Sequence, residues 1–166
     1  ESDLTDPKKV DWFGAIYDNM RTGIIRHPYH VCAEQLPELA GFDFVFVAID
    51  NTEARKVILE GLIATNVPFI DVGMDIALDK DGLLRGQCRF TVGTPDCHGH
   101  IREVISYAGS DDDIYRNIQI ADMNMMNAAM AVMKWKKMRR FYADGIREHH
   151  SVYVTAWHSL TKEDRT

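Results

Sequence analysis

The chain has 166 residues, 46% hydrophobic and 27% charged, with 25 acidic and 19 Lys or Arg side chains and a formal net charge of −6. These proportions fit one soluble folded domain and exclude a disordered chain or a disulfide-dense miniprotein. The acidic balance opposes wholesale binding to a phosphate backbone, so nucleic acid is not an expected partner, and no apolar run approaches the roughly 20 residues needed to cross a bilayer.

Residues 8–20 carry Val10, Phe13, Ile16, Tyr17 and Met20 three or four apart, which is helical spacing, and Asp6-Pro7 is a start signal. Gly23 ends that pattern, and the segment 27–32 around Pro28 reads as extended because a residue before proline avoids the α region. Leu36 and Leu39, punctuated by Pro37 and Gly41, predict a helical turn. Residues 42–49 (FDFVFVAI) are almost continuously apolar and predict a strand buried on both faces. Asp50-Asn51-Thr52 breaks the run with residues favoured at caps, and residues 53–65 return to helical spacing through Ala54, Val57, Ile58, Leu62 and Ile63. After Asn66-Val67-Pro68, residues 69–74 (FIDVGM) predict a second strand, parallel to the first.

Asp79-Lys80-Asp81-Gly82 is a turn signal, and residues 83–93 predict an antiparallel strand with a bulge at Gly86. The longest helical pattern runs from Tyr115 to Tyr142, preceded by Asp111-Asp112-Asp113 and ending in the basic run 134–140, both of which suit the helix dipole, with Gly145 as its closing residue. Met123, Met125, Met126, Met130, Met133 and Met138 on this helix suit a core or a partner groove, and Ile118, Ala129, Val132 and Phe141 continue the spacing expected of a core. Residues 151–157 predict a last strand and 160–166 a polar tail. The expected fold is α/β: a partial Rossmann-like three-layer domain spanning residues 1–166, with parallel strands joined by helices and antiparallel strands toward the C-terminus.

Asp50 and Asn51 fall at the carboxyl end of a strand, where open α/β sheets place ligands, and a carboxylate there can hold Mg²⁺ beside phosphates. Either residue can equally serve as a helix cap. Arg55, one turn later, can reach a phosphate or stay a solvated charge. Gly73 permits close backbone approach to a ligand, while turn chemistry makes Asp71 and Asp75 solvent-facing residues. Lys8 and Lys9 can contact an anion. Cys97-His98-Gly99-His100 gathers three ligand types, but a closed zinc site needs four and no second CxxC or HxxxH pair exists, so no zinc is expected. His149-His150 reads as surface, and the basic run around Trp135 as a solvated helix end. Cys32, Cys88 and Cys97 form no repeating pattern and read as reduced thiols, which with no secretory leader visible gives an expected cytoplasmic location. No G-x-G-x-x-G or P-loop occurs.

FDFVFVAIDNTEAR, followed by a helix and VPFIDVGM, resembles the middle of the ThiF/MoeB/HesA proteins, the ubiquitin-activating-enzyme-like superfamily. In that family an apolar strand ends in an Asp-Asn pair, an arginine comes a few residues later, and the next strand leads into a glycine-containing loop; Asp50, Asn51 and Arg55 match in turn. The strand with Gly86-Gln87-Cys88-Arg89 and the long helix are similar to the later elements of the family, so the resemblance extends over residues 8–157 and is best over 42–74. It implies ATP and Mg²⁺ as cofactors, with Asp50 at the metal, Asp50 and Arg55 in catalysis, and Asn51 and Lys9, or Lys8 beside it, at the nucleotide. The implied reaction is adenylation of the C-terminal carboxylate of a ubiquitin-like or sulfur-carrier protein, with release of pyrophosphate, by a homodimer. The family's glycine-rich loop lies upstream of that lysine, so the resemblance implies the C-terminal half of such a domain, and a first residue Glu1 fits a piece of a longer chain. The paired CxxC motifs of many members are missing, and Cys97 is not matched to a thioester nucleophile. Two other functions fit the pattern: a nicotinamide-dependent oxidoreductase fragment, and a non-catalytic interaction scaffold built on the methionine-rich helix.

Overall fold

The computed structural model describes residues 8–105 and 120–164. Its contacts divide the chain into two units, Glu1–Val31 and Cys32–Thr166. In the first, helix α1 (Lys9–Asp18) occupies most of the stretch with helical spacing, and Gly23 turns the chain with a φ of 83°. Asp18 pairs with Arg26, and the Lys8 ammonium donates to the Pro28 carbonyl.

The second unit contains, in order, α2 (Leu36–Leu39), β1 (Val45–Val47), α3 (Thr52–Ala64), β2 (Phe69–Leu78), β3 (Leu84–Gly93), α4 (Ile101–Val104), α5 (Ala121–Met138), β4 (His150–Val154) and β5 (Ser159–Glu163). The five strands form one sheet in sequence order, with β1 parallel to β2 and every later pair antiparallel. This is the mixed α/β arrangement expected from the sequence. Strand alternation sends Ile70, Phe90 and Val92 to one face, where Met130 and Ala131 of α5 complete a buried cluster. The register aligns Val47, Asp71, Thr91 and His150 in a row across the opposite face. Arg55 of α3 reaches Asp71 there, and α3 buries Ile58, Leu59 and Leu62. Helix, sheet and helix make three layers.

Several elements differ from the sequence reading. The run 42–49 yields a strand of only three residues, with Phe46 46% exposed rather than buried. β1 is an edge strand, and the Phe46 ring meets Phe44 at 5.2 Å and Trp135 of α5 at 6.2 Å between centroids. β2 continues past Met74 because β3 pairs with it along its whole length, and Asp79 closes the hairpin by accepting from the N–H groups of Asp81 and Leu83, both at 2.9 Å. There is no bulge at Gly86, since the register runs unbroken. Its missing side chain makes room for Met123, and its backbone N–H and carbonyl bond Thr155 Oγ1 at 2.9 and 3.1 Å.

The long helix stops at Met138, seven residues before Gly145, because Arg140 takes the left-handed turn there. Asp6-Pro7, Asp111-Asp112-Asp113, Tyr115 and Ile118 lie outside the described residues. Met123 and Met130 are buried, but Met125, Val132, Met133 and Phe141 are exposed, so the core reading holds for one face of α5 alone. The last predicted strand ends at Val154, after which a 3₁₀ turn, Thr155–Trp157, and left-handed His158 reverse the chain. The expected polar tail therefore pairs with β4 as β5.

Candidate functional site

Strand β1 stops after Val47, and the chain passes through Ala48, Ile49 and Asp50 into α3. Asn51 is the N-cap: its Oδ1 accepts from the Ala54 N–H at 2.9 Å, so the capping alternative holds for this side chain. Asp50 is exposed, and among the described residues it forms no ion pair or hydrogen bond. Arg55 neither reaches outward nor stays solvated. It turns back beneath the loop, with Nη2 donating to the Ile49 carbonyl and Nε lying 3.4 Å from Asp71 Oδ1.

Asp71 is the anchor of this corner. It stands within β2, as the apolar run 69–74 predicts, but the expectation of a solvent-facing aspartate fails, for it is 0% exposed. The reason is its pairing, since Arg89 of β3, set opposite Gly73, donates from Nη1 to Asp71 Oδ2 at 2.7 Å. Gly73 is open for the Arg89 guanidinium rather than for a ligand, because a Cβ there would meet the guanidinium carbon at 2.7 Å. Burial pushes the Asp71 carboxyl above its ordinary value, against the opposing pull of Arg89 and then Arg55. Beyond Asp71 the β1 side of β2 has no strand partner, and Asn127 Nδ2 of α5 donates to the Gly73 carbonyl there at 2.8 Å. Periodicity could not single out Arg89 or Asn127. The one visible sign for Arg89 was a charge alternating with Gln87 and Thr91 on one face of a strand.

Lys9 is exposed at the start of α1, within the other unit. Cys97 lies 3.7 Å from His100 Nδ1, and burial, followed by the charge of Asp164, pushes its thiol up rather than toward a reactive thiolate. Among the described residues no three His, Cys, Asp or Glu side chains are placed to hold a metal ion. His150 is not surface: it is buried against Thr91 Oγ1 at 2.9 Å, because β4 continues the sheet over that position. Nor is Lys134 solvated. It is 4% exposed and paired with Asp144 at 2.9 Å and Glu148 at 3.5 Å, since the chain folds back along α5 before β4.

Among the described residues no helix is long and apolar enough to cross a membrane. No protein-family model matches the chain, and no curated protein matches it.

Proposed function

We propose that this chain is the C-terminal part of an adenylation domain of the ThiF/MoeB/HesA type, acting in the cytoplasm on the C-terminal carboxylate of a ubiquitin-like or sulfur-carrier protein. The observation that carries the reading is Asp50: an exposed carboxylate at the carboxyl end of a strand parallel to its neighbour, on a loop held from below by Arg55 through the Ile49 carbonyl. An unpaired carboxylate suits Mg²⁺, a hard ion that takes oxygen ligands. The Arg55, Arg89 and Asp71 corner carries two guanidinium charges against one carboxylate, and this excess of positive charge favours a polyphosphate nearby.

In this reading Asp50 holds the magnesium of Mg-ATP, which offsets phosphate charge as the carrier carboxylate attacks the α-phosphorus and pyrophosphate leaves. Arg55 is a positioning residue, fixing the loop so that Asp50 need not reorganise. Asn51 keeps the helix start in place through its cap. The family resemblance assigns a phosphate contact to Lys9 and completion of the site to a homodimer. The test is exchange of labelled pyrophosphate into ATP by the full-length protein, stimulated by a carrier with a free C-terminal carboxylate. Exchange lost in Asp50→Ala supports the reading; exchange at the unmutated rate in that variant refutes it.

A scaffold reading draws on a different observation, the exposure of Met125, Val132 and Met133 along α5. It predicts no exchange under any condition.

A further inference from the structure

Helix α5 ends in a Schellman motif: the Phe141 N–H donates to the Lys136 carbonyl at 2.8 Å and the Arg140 N–H to the Lys137 carbonyl at 2.9 Å. The motif needs a left-handed backbone at the residue after the cap, a conformation that glycine adopts without strain. Here that residue is Arg140, with φ 59°, and Arg147, seven residues on, is also left-handed, with φ 54°. Two arginines thus stand where glycine would serve the fold better, which points to a use for their side chains.

An open concavity of ≈ 510 Å³ lies at this turn, lined by Lys137, Arg140, Phe141, Tyr142, Asp144 and Arg147 among others. Its one carboxylate is already engaged, because Asp144 accepts from Lys134 Nζ at 2.9 Å and from the Arg147 N–H at 3.0 Å. Lys137 is engaged as well, at 3.0 Å from Glu148. Among the described residues the side chains of Arg140 and Arg147 form no ion pair or hydrogen bond, and both are exposed. Beside them Phe141 and Tyr142 meet edge to face, and the Lys136 ammonium sits 5.0 and 5.7 Å from their ring centres.

We propose that this turn is a docking site for an acidic peptide segment of a partner protein, whose carboxylates pair with Arg140 and Arg147 while its backbone lies against Phe141 and Tyr142. Charge complementarity selects the partner: two uncommitted guanidinium groups, whose planar forks match carboxylates, line one concavity whose carboxylate, Asp144, is already engaged. A nucleic-acid strand fits less well, because Lys136 already lies over the rings on which bases would stack. Nothing in this site depends on the nucleotide reading of Asp50.

The test is fluorescence anisotropy of a short labelled peptide of alternating Glu and Ala titrated with the whole chain at low salt, beside a Lys-Ala peptide and an oligothymidylate. Saturable binding of the Glu peptide alone is expected, weakened about tenfold or more in Arg140→Gly/Arg147→Gly and less in Arg140→Lys/Arg147→Lys, which keeps the charges but not the forks. The glycine variant should melt within about 3 °C of the unmutated protein, since glycine suits both backbone positions. No binding to the unmutated chain, equal binding to the glycine variant, or tighter binding of the oligothymidylate would each overturn the proposal.

Discussion

Two buried ion networks hold this molecule together, and they differ in charge balance. At the carboxyl end of β1, Asp71 near the start of β2 faces both Arg55 and Arg89, two positive charges on one negative. Under the end of α5, Lys134 and Lys137 face Asp144 and Glu148, two against two. Both networks join distant elements, α3 to β2 and β3 in the first, α5 to the chain before β4 in the second. The balanced network is complete in itself and reads as structural. The unbalanced one retains a positive charge beside the loop that carries Asp50, which is the difference expected between a fold device and the support of an anion site.

The largest effect should come from breaking the unbalanced network. Arg89→Met leaves the Asp71 carboxylate buried with Arg55 as its remaining cation, and should cost about 3–5 kcal/mol in urea unfolding near neutral pH. A loss of less than about 1 kcal/mol would mean that water relieves Asp71 and that the corner is not closed.

Asparagine at the two aspartates should sharpen the contrast through opposite pH slopes. Burial raises the folded-state value of Asp71, so the native state holds that proton more tightly than the unfolded chain, and stability falls as pH rises from the ordinary carboxyl value to the raised one. The cost of Asp71→Asn should therefore shrink as pH rises through that window. For Asp144, burial is outweighed by the Lys134 hydrogen bond, the Arg147 N–H and the charges of Lys134 and Lys137, which together lower its folded value. Its stabilisation is present above the ordinary carboxyl value and is lost as pH falls through the lowered one. The cost of Asp144→Asn, about 2 kcal/mol near neutral pH, should vanish toward acid. Parallel slopes for the two variants, read as melting temperature against pH, would remove the distinction between the networks.

A smaller effect belongs to the helix start. Asn51→Ala frees the Ala54 N–H and should cost about 1 kcal/mol, with Asn51→Asp restoring it. No loss in thermal unfolding would show that solvent replaces the cap.

The order of elements was legible because apolar runs and turn residues are local signals. Asp50-Asn51-Thr52 announced the start of α3, Asp79-Lys80-Asp81-Gly82 the β2–β3 turn, and the apolar runs on either side of α3 a parallel pair. The charge networks were not legible, because each partner is set by register or by a reversal of the chain. Asp71 looked solvent-facing until β3 placed Arg89 opposite Gly73. Lys134 looked solvated until the chain returned with Glu148. The end of α5 was misread for a related reason: the motif that stops it is a backbone pattern, and arginine occupies the position where glycine would have announced it. Of the site, the sequence located Asp50 and Arg55 but not the direction in which Arg55 points.

The central claim is that Asp50 takes part in binding Mg-ATP without contributing to the fold, and calorimetric titration of Mg-ATP into the full-length protein and its Asp50→Ala variant, with a melting curve of each, tests it most directly. The account predicts saturable, magnesium-dependent binding that Asp50→Ala weakens at least about tenfold, with a melting temperature unchanged to within about 2 °C. Equal affinity in the two proteins, or no binding to the unmutated full-length protein, would contradict it.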